Sequence, residues 1–343
     1  MNDFTLNTAS SMPVATSKQA VAVQLSTDLD YQRQLIGAHR ALSGIEHALQ
    51  FAPRPAARAF RDMVWLLDGL GAVQLDGEPV SLQTVIDEPN NPAVLRVEAY
   101  TSIASSIAHS SHSNSVSRST AMYIAERLSQ VSRSPLVTLR RDSNSNESMQ
   151  HGLAHWEHFV SDEAGSADSL VMASIADAKF RRLSPFTANN HASAGLLLCA
   201  VLRDEQMLHH APLCLSHYFS RHSENFYQSL ADDNAAVRFY LRAVTDTALE
   251  LTQRLVDLIS HIDHCQDIVG QTLSRAPIDV VLQAVCRPLC TNNDLIEAGV
   301  SRRQTGASYL KKLAAVGLLS SHSKGKELLY VNNGVLKAFS GLN

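Results

Sequence analysis

The chain has 343 residues, 45% of them hydrophobic and 18% charged, with a net charge of −4. This fits an ordinary globular protein of two or three domains and excludes a polycation that coats nucleic acid along its whole length. No run of 18 apolar residues occurs, so no membrane-spanning helix is expected. The Ser/Thr/Asn-rich start, Met1 to Lys18, lacks the apolar segment of a secretory signal, and five cysteines without a CxxC pair read as reduced thiols of a cytoplasmic protein.

Residues 1–28 are small and polar without helical period, as in an extended or disordered tail. From Tyr31 onward, Leu35, Ala38, Leu42, Ile45 and Leu49 recur at helical steps, and Pro53 and Pro55 stop that helix. A second helix is expected over about 56–70, with Phe60, Val64 and Leu67 on one face. It runs into Ala72-Val73-Gln74-Leu75-Asp76-Gly77, where Gly77 suits a left-handed helix cap, and then Ser81-Leu82. A helix from Ala93 to about Ser106 presents Val94, Val97, Tyr100 and Ile103. Ser105 to Ser119 reads as a polar loop, and its His109 and His112 have no third ligand nearby. Thr120 to Val131 is an amphipathic helix. Residues 132–149 are poor in apolar side chains, and there only Leu136 to Leu139 suits a strand. A helix over His151 to Val160 and an acidic loop lead to the centre.

The centre is a pair of apolar helical runs, Leu170 to Phe180 and Leu196 to Met207, joined by a polar loop. A loop that feeds a helix N-terminus, here expected at Ser193, is a natural anion site because the first N–H groups lack intrahelical partners. Phe180, Leu183, Pro185, Phe186, Asn190, Leu196 and Leu197 stand in register with F-x-x-(I/L)-H-P-F-x-(D/E)-G-N-G-R-x-x-R-L-L. That pattern resembles the Fic family, which moves nucleotide monophosphates onto protein hydroxyls.

The resemblance puts Ser184 at the family's general base, Ala188 at its metal-binding acid, Asn189 and His191 at its two glycines, and Ala192 and Gly195 at its two arginines. A hydroxyl does not take up a proton near neutral pH without a base of its own, and alanine offers Mg²⁺ no oxygen. It therefore implies a retained frame without transferase chemistry, with no catalytic residue, metal or cofactor. Ser184, Asn189, Asn190 and His191 would outline a vestigial nucleotide pocket able to take a small anion. Residues 72–82 resemble the family's inhibitory helix, S-x-x-x-E-G, with Ala72 for the Ser and Asp76 for the Glu. The salt-bridge partner implied for Asp76 is Gly195, so both halves of that restraint are altered. In the family a β-hairpin flap docks the target, and the region 132–149 implies a shortened one.

Further on, Pro212 to Phe219, Glu224 to Leu230 and Val237 to Leu241 resemble aromatic landmarks of the same family and read as core packing. Leu249 to Gln271 is a long helix. Its His261, His264 and Cys265 share a face but lack a fourth ligand, and the two histidines read as lying on a solvated face, while Cys286 and Cys290 read as buried.

From Pro277 the character changes. Residues 277–343 hold eight Lys/Arg and four Asp/Glu, a charge of +4, which leaves −8 for residues 1–276. A helix over Ile278 to Val285, a short capped helix after Thr291, a turn at Gly299 and a helix from Arg302 to Val316 with Ser301 as N-cap precede a hairpin with Lys324-Gly325-Lys326 at its tip. This is the winged helix-turn-helix arrangement. Ser301, Arg302, Arg303, Gln304, Thr305, Ser308, Lys311 and Lys312 would face DNA, with Lys324 and Lys326 on phosphates.

The expected fold is mainly α: a tail (1–28), an N-terminal helical region (29–98), a Fic-like helical core (99–273) and a C-terminal winged helix (274–343). The expected function is a sequence-specific regulator that binds double-stranded DNA as a homodimer. The alternatives are a non-catalytic protein-interaction partner and an adenylyltransferase with a rewired site based on His191.

Overall fold

The computed structural model describes residues 28–109, 116–131, 137–140, 146–161, 168–209, 212–272, 278–324 and 327–339. The tail expected at 1–28 lies outside them except for Asp28, as do His112, Lys326 and much of the region 132–149. Among the described residues the fold is mainly α, with one small antiparallel sheet.

Helix α1 (Leu29–Phe51) begins at Asp28, whose carboxylate accepts from the N–H groups of Asp30 and Tyr31 and pairs with Arg238. Its apolar stripe buries Ala38, Leu42, Ile45 and Leu49. Helix α2 (Arg54–Leu75) is longer than expected at both ends. Pro55 sits in its first turn, where no hydrogen bond is lost, so the proline that closes α1 also opens α2. Gly77 follows with φ +90°, the left-handed cap read from the sequence. Ser81 caps α3 (Leu82–Asp87).

Helix α4 (Pro92–His109) absorbs the start of the expected loop, and His109 is a helical residue whose Nδ1 contacts the Ser105 carbonyl at 2.7 Å. Helices α5 (Arg118–Val131), α6 (Asn146–Ser161), α7 (Ser169–Leu183) and α8 (Asn190–Asp204) surround a second apolar cluster that holds Trp156, Phe180 and Phe186. Two short helices, α9 (Leu215–Arg221) and α10 (Ser223–Ser229), carry aromatic landmarks: Phe219 stacks on Phe226 at 4.8 Å.

Helix α11 (Asp233–Thr272) runs 40 residues and takes in the Val237 to Leu241 landmark. No proline interrupts it, and its buried positions Val237, Leu241, Val244, Ala248, Leu251, Leu255, Leu258 and Ile262 keep three- and four-residue steps against α1.

The C-terminal part is α12 (Ile278–Val285), β1 (Leu289–Thr291), α13 (Asn292–Glu297), α14 (Arg303–Ala315), β2 (Ser320–Lys324), β3 (Glu327–Val331) and α15 (Asn333–Ala338). The sheet has order β1-β3-β2, with Cys290 opposite Tyr330 and Ser321 opposite Tyr330 on the other side. Strand β1 was not foreseen, because three residues are too few for alternation to register. Cys286 and Cys290 are buried, as expected.

This part is fused to the rest. Phe339 packs on Phe60 of α2 at 6.0 Å, Arg58 donates to Gln283 at 2.5 Å, and one hydrophobic core passes through both. His261 does not lie on a solvated face. Its Nε2 meets Asn332 Oδ1 at 3.0 Å, joining α11 to the cap of α15.

Candidate functional site

The loop between α7 and α8 is closed by its own side chains. Ser184 ends α7 in the left-handed conformation, φ 43°, and its hydroxyl donates back to the Arg181 carbonyl at 2.7 Å. Asn190 Oδ1 accepts from the Phe186 N–H at 2.9 Å while its Nδ2 donates to the Phe186 carbonyl at 2.8 Å, so one amide clamps both sides of one residue. Asn189, left-handed with φ 61°, is buried and donates to Ser129 Oγ at 2.7 Å. The short remnant of the expected flap lies along the loop. Leu139 bridges Phe186 antiparallel, Arg140 N–H donates to the Pro185 carbonyl at 2.8 Å, and Thr187 N–H donates to the Thr138 carbonyl at 3.0 Å.

Two expectations fail here. Helix α8 starts at Asn190, not at Ser193, which is fully buried one turn in. Its anion site is already filled. The N–H groups of His191 and Ala192 donate to the two carboxylate oxygens of Asp76 at 2.8 and 3.0 Å. Asp76 closes α2, and Glu78 just beyond it pairs with Arg96 at 2.6 Å, which fixes that end of α2 against α4. The pocket expected to admit a small anion thus holds the chain's own carboxylate, Asn189 is bonded to α5, and Asn190 is spent on the loop itself.

Positive charge comes from a residue not singled out in the sequence. Arg181 is buried, donates to Asp177 at 2.5 Å and to the region of His191 Nδ1 at 3.0 Å, and lies 5.3 Å above the rings of both Phe219 and Phe226. Burial pushes the Asp76 carboxyl up to about 6 against its two backbone bonds and the fields of Arg181 and Arg96. Burial and then the Arg181 charge press His191 down to about 3, so it is neutral, with Nδ1 accepting from the guanidinium. Its ring packs edge-on to Phe226 and Tyr227. An imidazole so held makes a poor proton acceptor for a substrate hydroxyl.

Gly195 shows why no second arginine returns. A Cβ there would stand 2.6 Å from Ser216 Oγ and 2.7 Å from Tyr100 Oη. Those groups belong to a buried network in which Tyr100 Oη and the Ser216 N–H both donate to Asp68, at 2.5 and 2.7 Å. Burial raises Asp68 to about 6. Sequence reasoning missed this network, although an aspartate within the apolar face of α2 was its signal. The Mg²⁺ that the Fic motif binds in the family does not fit these residues. Ala188 offers no side-chain oxygen, and Asn190 Oδ1 is already bonded within the loop.

The second candidate surface is α14. Arg302, Arg303, Gln304, Thr305, Ser308, Lys311 and Lys312 are all exposed, and the helix carries no acidic residue. Gly306, Leu310 and Leu313 face the core, and Ala307 is only half-buried. Ser301 is not the N-cap. Arg302 holds that position with extended backbone, φ −85° and ψ 157°, and no side chain caps the helix. Ser301 is half-buried instead, with Oγ 2.5 Å from where a Cβ on Gly306 would stand. Asn292 of α13 donates to the Arg303 carbonyl at 2.9 Å and sets the angle between the two helices. Lys324 ends β2 at the hairpin tip.

Residues 261–335 match the family model described as the C-terminal domain of SoFic-like protein adenylyltransferase. Among solved structures, a Fic family protein from Desulfovibrio desulfuricans G20 is similar at 13% identity and a TM-score of 0.47, over 87% of this chain and 95% of that one. The match of residues 261–335 supports the family resemblance read from the sequence motifs.

Proposed function

We propose that this chain is a DNA-binding regulator in which a Fic-like body no longer transfers nucleotides and the C-terminal module reads duplex DNA as part of a homodimer. The observation that carries the reading is the α14 face: seven exposed polar or cationic residues from Arg302 to Lys312, uninterrupted by a carboxylate, at the start of a helix that follows a tight helix-turn. The arginines and Gln304 lie in the first turn, where a groove-entering helix meets base edges, and Lys311 and Lys312 follow two turns later. Selection from random duplex by the purified chain should enrich one motif, repeated with two-fold symmetry. Replacing Arg302 and Arg303 together by Ala should weaken binding at least about 30-fold at the selected site, at about 1–3 kcal/mol for each lost base contact. Unchanged affinity would overturn the assignment of α14.

The description of the matched domain favours a second reading, protein adenylyltransferase. Against it stand the Ser184 hydroxyl bonded to its own helix, the neutral His191 and the Asp76 carboxylate on the α8 N-terminus. With labelled ATP and Mg²⁺, no label should pass to the chain or to added proteins. Label that disappears in the His191→Ala variant would establish a transferase instead.

A further inference from the structure

A cavity of about 280 Å³ opens at the far end of the helical body from the α7–α8 loop. Helix α8 reaches it with Cys199 and Arg203, and α2 with Arg61 and Trp65. At 1.5 Å per residue, Arg203 lies roughly 20 Å from the start of α8 and Arg61 roughly 22 Å from Asp76, so the two places are separate. The cavity adjoins a second hollow of about 590 Å³, sharing Arg61, Trp65 and His109 with it.

The lining has a definite chemical character. The apolar lining is the Trp65 indole, Ile107, Leu208 and Pro212. The polar lining is two guanidinium groups, Arg61 and Arg203, and the imidazoles of His109 and His209; among the described residues no carboxylate lines this cavity, while Asp62 lines the adjoining hollow. Arg203 is fixed in place, donating to Asp204 at 2.6 Å and to the Ile107 carbonyl that ends α4. The floor is firm, because Trp65 is 8% exposed and belongs to the cluster that holds Tyr100 and Phe180.

We propose that this cavity is a binding site for a small flat organic anion, a one- or two-ring acid. Its acid group would sit against Arg61, and its rings would lie between Trp65 and Leu208. Arginine suits the acid because its planar donors match carboxylate geometry, and an aromatic wall suits a flat apolar body. The volume is at the small end for ligand sites, which limits the occupant to about two rings. Nothing in this assignment depends on what α14 binds.

The test uses the full chain and two probes of the same shape, 2-naphthoate and its uncharged analogue 2-naphthamide, titrated by calorimetry at constant ionic strength. Saturable binding of one naphthoate per chain is expected, with naphthamide at least tenfold weaker. Arg61→Gln should weaken naphthoate about tenfold and leave naphthamide unchanged, since the charge-assisted bond alone is lost. Ala108→Trp, at the exposed rim of the cavity, should abolish both. Thermal melts check that each variant is folded, and the rim variant serves if Arg61→Gln is not. No saturable binding, equal affinity for the two probes, or naphthoate binding that survives Ala108→Trp would each overturn the assignment.

Discussion

At the scale of single residues, Asp76 determines what the central loop can do. Its carboxyl bonds two helix N–H groups, yet burial lifts its pKa from 3.8 to about 6. A carboxyl that holds its proton more tightly when folded contributes most below its unfolded value of 3.8. That contribution is lost as pH rises through about 6. His191 runs the other way: pressed down to about 3, it contributes above 6.5 and loses that share as pH falls. The two oppose each other in the wild type, so the difference against a variant isolates Asp76. The stability of wild type minus Asp76→Asn should fall by about 2.4 kcal/mol between pH 4 and pH 7, measured by urea unfolding. A flat difference would mean that Asp76 titrates normally. A second outcome follows from removing the plug. In Asp76→Ala the α8 N-terminus loses its acceptor, at a cost of about 1–3 kcal/mol at pH 7, and inorganic phosphate should then raise the melting temperature of the variant but not of the wild type.

The sequence made the changes at Ser184, Ala188, Ala192 and Gly195 visible, because each is a substitution within a fixed spacing. It did not show where the Asp76 carboxylate goes. That depends on α2 and α8 meeting across more than a hundred residues of chain, and no local pattern encodes such a meeting. Arg181 was hidden for the same reason. Beside Arg182 and close to Lys179 it looks solvated, and only tertiary packing sets its pair with Asp177, one turn back, against two phenylalanine rings.

Among the elements, helices with long apolar periods were legible and their ends were not. The face of α1 came through because six positions repeat the period, whereas the start of α11 was put sixteen residues late because its aromatic beginning read as a separate landmark. Close helix approach left a trace only in composition. Gly71 of α2 lies against α9 so tightly that a Cβ would stand 2.3 Å from the His217 Cα. Backbone cannot yield there as a flexible side chain does, so Gly71→Ala should destabilise the chain by about 3 kcal/mol or more by thermal or urea unfolding. Gly44, with open space around it on α1, is the control: Ala there should stabilise by roughly 0.5–1 kcal/mol through helix propensity.

Across the whole molecule, charge and a helix-turn-helix pattern set the C-terminal residues apart in the sequence, but nothing there announced how they attach to the rest. The core that joins it to α2 and α11 has Phe339 against Phe60 and Asn332 against His261. Continuity of that core predicts one calorimetric unfolding transition for the full chain. Phe339→Ala should cost about 3–5 kcal/mol and split the transition in two as the module comes loose. A single, unshifted transition in that variant would mean that the two parts are held by other contacts.

Helix α11 touches both the helix that leads into the central loop and the C-terminal module. At its start Asp233 holds Lys179 at 3.4 Å and Arg182, both from α7, which carries the central loop; in its last third His261 touches the cap of α15. Forty residues make a rod of roughly 60 Å. A tilt of about one degree at the first end displaces the other by roughly 1 Å, so α11 is geometrically a lever with its load on the basic module. Spin labels at Val256 and Ser308, both exposed, would read that arm directly as a distance distribution, narrow for a stiff beam and broad for a jointed one.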